Sequence, residues 1–93
     1  MSQRTFDNID DPYVGLAAGM VWHCLGQYGP ITPPEIRLVT GLEEESVRMG
    51  IGWLAREGKI KRFKAPPPED YSACLTVAEL KIYRSRAVTR DSR

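Results

Sequence analysis

Apolar residues recur at spacings of three and four along the first third of this chain. Val14, Ala17, Ala18, Val21, Trp22, Leu25 and Tyr28 fall on one stripe, which predicts a helix with a single buried face. Asp11-Pro12 has the chemistry of an N-cap followed by proline at the first helical position, and Gly29-Pro30 reads as the stop. Gly15, Gly19 and Gly26 interrupt the helix, each costing about 0.5–1 kcal/mol relative to alanine, so packing has to hold it. Residues 1–10 are polar apart from Phe6 and Ile9 and read as a flexible arm.

The pattern then shortens. Ile31 is an apolar link, with the option of pairing with a later strand. Thr32-Pro33-Pro34-Glu35 carries the residues of a capping box. The helix it opens would turn Ile36 and Val39 inward, leave Leu38 free for either side, and end at Thr40-Gly41. A third helix is predicted over residues 44–57. At about 100° per residue, Val47, Gly50, Ile51 and Leu54 share the core face. Glu45, Met49, Gly52 and Arg56 lie opposite, with Arg48 and Trp53 at the flanks, and Gly58 supplies a left-handed stop.

Beyond Gly58 the period changes. Lys59 to Lys64 reads as a strand and Tyr71 to Leu75 as its return. Ala65-Pro66-Pro67-Pro68-Glu69-Asp70 cannot continue a ladder, because proline has no amide donor. Thr76-Val77-Ala78-Glu79 is a second capping-box pattern, predicting a C-terminal helix with Leu80 and Tyr83 on one side. A longer strand over residues 75–83 is the alternative. Residues 78–86 are assigned to this helix and residues 87–93 to a disordered basic tail.

Ninety-three residues make one domain, which buries roughly 60–65% of its unfolded surface. With 13 basic and 12 acidic side chains, the net charge of +1 favours no class of partner. Its distribution is more informative. Lys59, Lys61, Arg62 and Lys64 cluster without an acid among them, whereas Glu43, Glu44 and Glu45 open the third helix. Cys24 and Cys74 are isolated in apolar stretches and read as small buried side chains rather than as a bridge. Neither a signal-peptide pattern nor an apolar run of the roughly 18 residues that span a bilayer is present, so a cytoplasmic location is expected.

Helix, link, capped helix, Thr40-Gly41-Leu42 turn, helix and basic hairpin is the order of a winged helix-turn-helix. The expected class is therefore mainly α with a small β-hairpin wing of two or three strands, a three-helix core and a C-terminal helix, with the domain over residues 11–77. More narrowly, residues 14–77 resemble a small prokaryotic winged helix-turn-helix family of uncharacterised function. The resemblance rests on Val21-Trp22, on Thr40-Gly41-Leu42, and above all on Ile51-Gly52-Trp53-Leu54-Ala55-Arg56-Glu57-Gly58-Lys59-Ile60. It implies the fold, and it implies DNA binding by analogy only. Glu43 departs from the serine or aspartate common at that cap, and the proline-rich wing tip departs from a tight glycine turn.

Two functional readings follow. Groove-reading helices need Arg, Lys, Asn or Gln at base edges, and here two arginines face four glutamates across residues 43–57. The glutamates suit the helix dipole but repel phosphates. The better nucleic-acid candidate is the wing, where Lys59, Lys61, Arg62 and Lys64 would hold phosphates while Arg48 and Arg56 flank the groove. This predicts weak, mainly non-specific binding to double-stranded DNA by an accessory or regulator-like protein. The bland counterpart is that wing charges only keep an edge strand from pairing.

The competing reading is a protein-binding or homodimeric module using Met49, Trp53, Leu80 and Tyr83. Against it stands plain packing, with Trp53 folded under the hairpin against Phe63 or Tyr71, and Leu80 and Tyr83 on the first helix. Nothing suggests an enzyme: no catalytic residue, metal site or cofactor motif is evident, and His23 reads as a solvated histidine. No small-molecule ligand site is expected, because so small a core is needed for stability.

Overall fold

In the structure, a computed structural model, the backbone is described over residues 12–91 and side chains over residues 15–86. The predicted arm and the Asp11 cap lie outside the described residues. Four helices and one hairpin follow in the expected order: α1 (Pro12–Tyr28), α2 (Pro33–Thr40), α3 (Glu44–Arg56), β1 (Ile60–Lys64), β2 (Tyr71–Leu75) and α4 (Val77–Asp91).

The stripe of α1 is buried from Ala17 to Leu25, and Val47, Gly50, Ile51 and Leu54 of α3 are all buried. These two faces meet closely because Gly50 has no side chain. A methyl there would stand 3.1 Å from Val21 Cγ2 and 3.2 Å from the Ala17 carbonyl oxygen. Ile36 of α2 and Ala73 and Leu75 of β2 close the core. Cys24 is also within it, and burial pushes its thiol pKa up.

Ends and turns follow local chemistry. The Thr32 box is complete: Glu35 N–H donates to Thr32 Oγ1 at 3.4 Å, and Thr32 N–H donates to Glu35 Oε1 at 2.8 Å. Gly41 ends α2 at φ 77° and donates to the Arg37 carbonyl. Gly58, at φ 73°, stops α3, with Gly58 N–H donating to Ala55 O and Lys59 N–H to Leu54 O. That spends the amide of Lys59 on the helix, so β1 begins one residue later than predicted. The hairpin pairs Ile60 with Leu75 through Lys64 with Tyr71. Ile31 bridges Ala73 from the other side, as its apolar link position allowed.

Four expectations are corrected. Tyr28 is 51% exposed, because it is the last residue of α1 and overshoots the packed layers. Val39 is 48% exposed, since Pro33, Ile36 and Thr40 form the inward row of so short a helix. Leu38 points outward. The second capping box is only half made: Glu79 N–H donates to Thr76 Oγ1 at 3.2 Å, but the Thr76 amide is already given to the Lys59 carbonyl. The Glu79 carboxylate instead accepts the Trp22 indole N–H at 2.8 Å. Finally, residues 87–91, expected to belong to a disordered tail, are helical, and α4 continues to Asp91.

Candidate nucleic-acid interface

The wing carries its charge on both faces of one short strand. Alternation puts Lys61 and Phe63 on one face of β1 and Arg62 and Lys64 on the other, and all four side chains are exposed. Arg62 and Lys64 stand opposite Ala73, which is buried in the core, and Tyr71, which packs against it. Arg62 lays its guanidinium over the Tyr71 ring, 5.3 Å from the centroid, which steadies the cation without neutralising it. Among the described residues, no carboxylate stands within salt-bridge distance of Lys61, Arg62 or Lys64. Lys59 differs: its Nζ is 3.8 Å from Glu57, with both side chains well exposed.

The head of α3 is a different electrostatic surface. Glu43 is its N-cap residue but makes no side-chain capping bond. Glu43, Glu44 and Glu45 are exposed, and Arg48 Nε donates to Glu44 Oε2 at 3.2 Å, one turn along the helix. Such a solvated pair is worth little to stability, yet it ties up one of the two arginines expected to flank a groove. Arg56 is exposed in the last turn. Pro68 of the wing tip joins Glu44, Arg48 and Arg37 around a small hollow of about 180 Å³. The wing tip and the acidic head of α3 thus border one surface.

The four residues expected at a protein interface are not gathered into one patch. Met49 is half-buried beside the glutamates of α3. Trp53, half-buried and packed against the core, lines a cleft with Trp22, His23, Ile82 and Arg86; Phe63 and Tyr71 are not among its walls. Leu80 and Tyr83 also pack on the core. The Tyr83 ring lies 5.6 Å from that of Trp22 and covers Gly26, where a methyl would overlap it. Exposed His23 stands edge-on to Trp22 at 5.0 Å. The Trp22–Glu79 bond and the cleft escaped the sequence reading, because 57 residues separate the two partners and both had sufficient local explanations. Among the described residues no helix is long and apolar enough to cross a membrane.

Solved structures of the same fold place the chain among known proteins. It is 33% identical to protein BT2368 of Bacteroides thetaiotaomicron, known from a solution NMR structure, over 71% of this chain and 78% of that one, with a TM-score of 0.62. At 16% identity it superposes on Streptococcus pneumoniae FabT, solved in complex with DNA, over 97% of this chain and 71% of that one, with a TM-score of 0.69. NMB1585, a MarR family regulator from Neisseria meningitidis, gives 19% identity over 96% and 66% of the two chains, with a TM-score of 0.66. A comparison with curated proteins finds no match. The architecture is that of a winged helix shared with transcription regulators. Residues 8–65 match the model of one family over more than half of the chain, and the protein belongs to that family, the winged helix-turn-helix domain family DUF2582.

Proposed function

We propose that this protein is a regulator-like or accessory winged-helix protein that binds double-stranded DNA weakly, with little sequence preference, through its wing. The observation that carries this reading is the contrast between the two candidate surfaces. Lys61, Arg62 and Lys64 are exposed and unneutralised among the described residues, whereas Arg48 of α3 is paired and sits behind three glutamates. Phosphate contacts need only mobile or steadied cations, while base reading needs donors delivered into a groove. The wing meets the first requirement, and the head of α3 is poorly suited to the second. FabT, bound to DNA in its own structure, lends DNA to the reading as the class of partner.

Three phosphate contacts imply a log–log dependence of affinity on salt with a slope of about −3. Fluorescence anisotropy of a labelled random-sequence duplex, titrated at about 50 and 200 mM salt, measures that slope. Binding that weakens accordingly supports the wing as the contact. No binding at the lower salt removes DNA as the partner.

A further inference from the structure

Phe63 stands within the charged strand of the wing and is 49% exposed. Its ring belongs neither to the buried cluster nor to the half-buried side chains packed on it. The register explains the exposure. Alternation turns Phe63 away from the face of the hairpin on which Ala73 and Leu75 enter the core. Its partner across the ladder is Ser72, whose side chain is too small to cover a ring.

Cations surround this ring without occupying it. Lys61 shares its face two residues away, about 7 Å along the strand, and Arg62 and Lys64 are its neighbours in sequence on the other face. None of the three lies within salt-bridge distance of a carboxylate among the described residues. The Tyr71 ring is taken by Arg62, whereas Phe63 meets neither a cation nor another ring among the described residues. A closed duplex has no use for such a ring, because its bases are stacked on one another and it offers phosphates and base edges. A single strand offers phosphates together with free base faces. Cations beside an exposed aromatic ring match that pair of features.

We propose that the outer face of the wing binds unpaired nucleotides of DNA, one base stacked on Phe63 and the flanking phosphates held by Lys61, Arg62 and Lys64. The wing then prefers single-stranded or unwound DNA, and the weak binding of a closed duplex is the part that phosphates alone supply. This rests on the reading of the wing as a phosphate contact and names the form of DNA which that contact favours.

The experiment is fluorescence anisotropy of the full chain with three labelled oligomers of equal length, at about 50 mM salt. They are single-stranded oligo-dT, a strand of abasic residues that keeps the phosphates and lacks the bases, and a closed duplex. Oligo-dT should bind about tenfold more tightly than either of the others, the scale of one stacked base. Phe63→Leu, at an exposed position, keeps an apolar side chain but removes the ring. It should cost oligo-dT about tenfold and leave the duplex unaffected, while Phe63→Trp keeps the preference and Lys61→Ala weakens both. A duplex or an abasic strand bound as tightly as oligo-dT would overturn the proposal and leave the wing as a phosphate contact. So would an oligo-dT affinity unchanged in Phe63→Leu. Absence of binding to all three oligomers would overturn both readings together.

Discussion

Trp22 donates its indole N–H to Glu79 across 57 residues of sequence, at 2.8 Å, and this bond ties the first helix to the last. Trp22 is 7% exposed, so water is a poor substitute for the carboxylate. Removing the acceptor leaves a buried donor unpaired, which costs about 1–3 kcal/mol. Glu79→Ala is expected to destabilise the protein by that amount in urea denaturation. Glu79→Gln keeps an acceptor oxygen and should lose less than half as much. Equal losses in the two variants would mean that the charge of the carboxylate, and not the acceptor oxygen alone, holds Trp22 and α4.

Two glycines two residues apart on α3 should respond oppositely to alanine. Gly50 faces the backbone of α1 at 3.1–3.2 Å from a would-be methyl, whereas at Gly52 nothing lies within 4 Å. Gly50→Ala should cost about 1–3 kcal/mol through forced separation of the helices. Gly52→Ala should gain about 0.5–1 kcal/mol from helix propensity. Thermal unfolding of both variants checks the sign of each effect.

The helix caps invite a similar comparison. Thr32 caps α2 through a complete box, and Thr32→Ala is expected to cost about 1 kcal/mol. Glu43 occupies the N-cap of α3 in extended conformation without a side-chain bond. Its carboxylate is one methylene too long for that position. Glu43→Asp keeps the charge, supplies a preferred cap and should stabilise by about 0.5–1 kcal/mol. Chemical denaturation with an unchanged m-value would show that stability alone had moved.

If the wing holds phosphates, Lys61→Ala and Lys64→Ala should each lower the magnitude of the salt slope by about 1 and weaken binding equally across duplex sequences. Replacing Glu44 and Glu45 by glutamine should strengthen binding at low salt, because it removes repulsion and frees Arg48; screening should erase the gain at high salt. Anisotropy titrations of these variants measure both effects. Wing variants that bind like the parent, alongside loss of binding in Arg56→Ala, would shift the contact to α3.

Most of the scaffold could be read from residues close to one another in the chain. The stripe from Ala17 to Leu25, the Thr32–Glu35 box, the Gly41 and Gly58 stops and the apolar face of α3 each depend on spacings within a few turns, where periodicity and capping chemistry act. The candidate wing residues were visible as a run of charge for the same reason. Their differing states were not: only the folded chain lays Arg62 on Tyr71 and leaves Lys61 in solvent.

Tertiary structure decided which of several locally acceptable roles each side chain takes. Glu79 had the pattern of a reciprocal cap, but the Thr76 amide went to Lys59 and the carboxylate to Trp22. Tyr28 and Val39 fitted a helical stripe, but burial needs a facing element, and each lies beyond the one available. The cleft beside Trp53 likewise arises only when α4 packs on α1, since its walls come from segments more than 50 residues apart. Local sequence determined the elements and their ends because hydrogen bonds and capping act within a turn or two. Long-range packing determined the surfaces, because exposure and pairing belong to the assembled helices and not to any one segment.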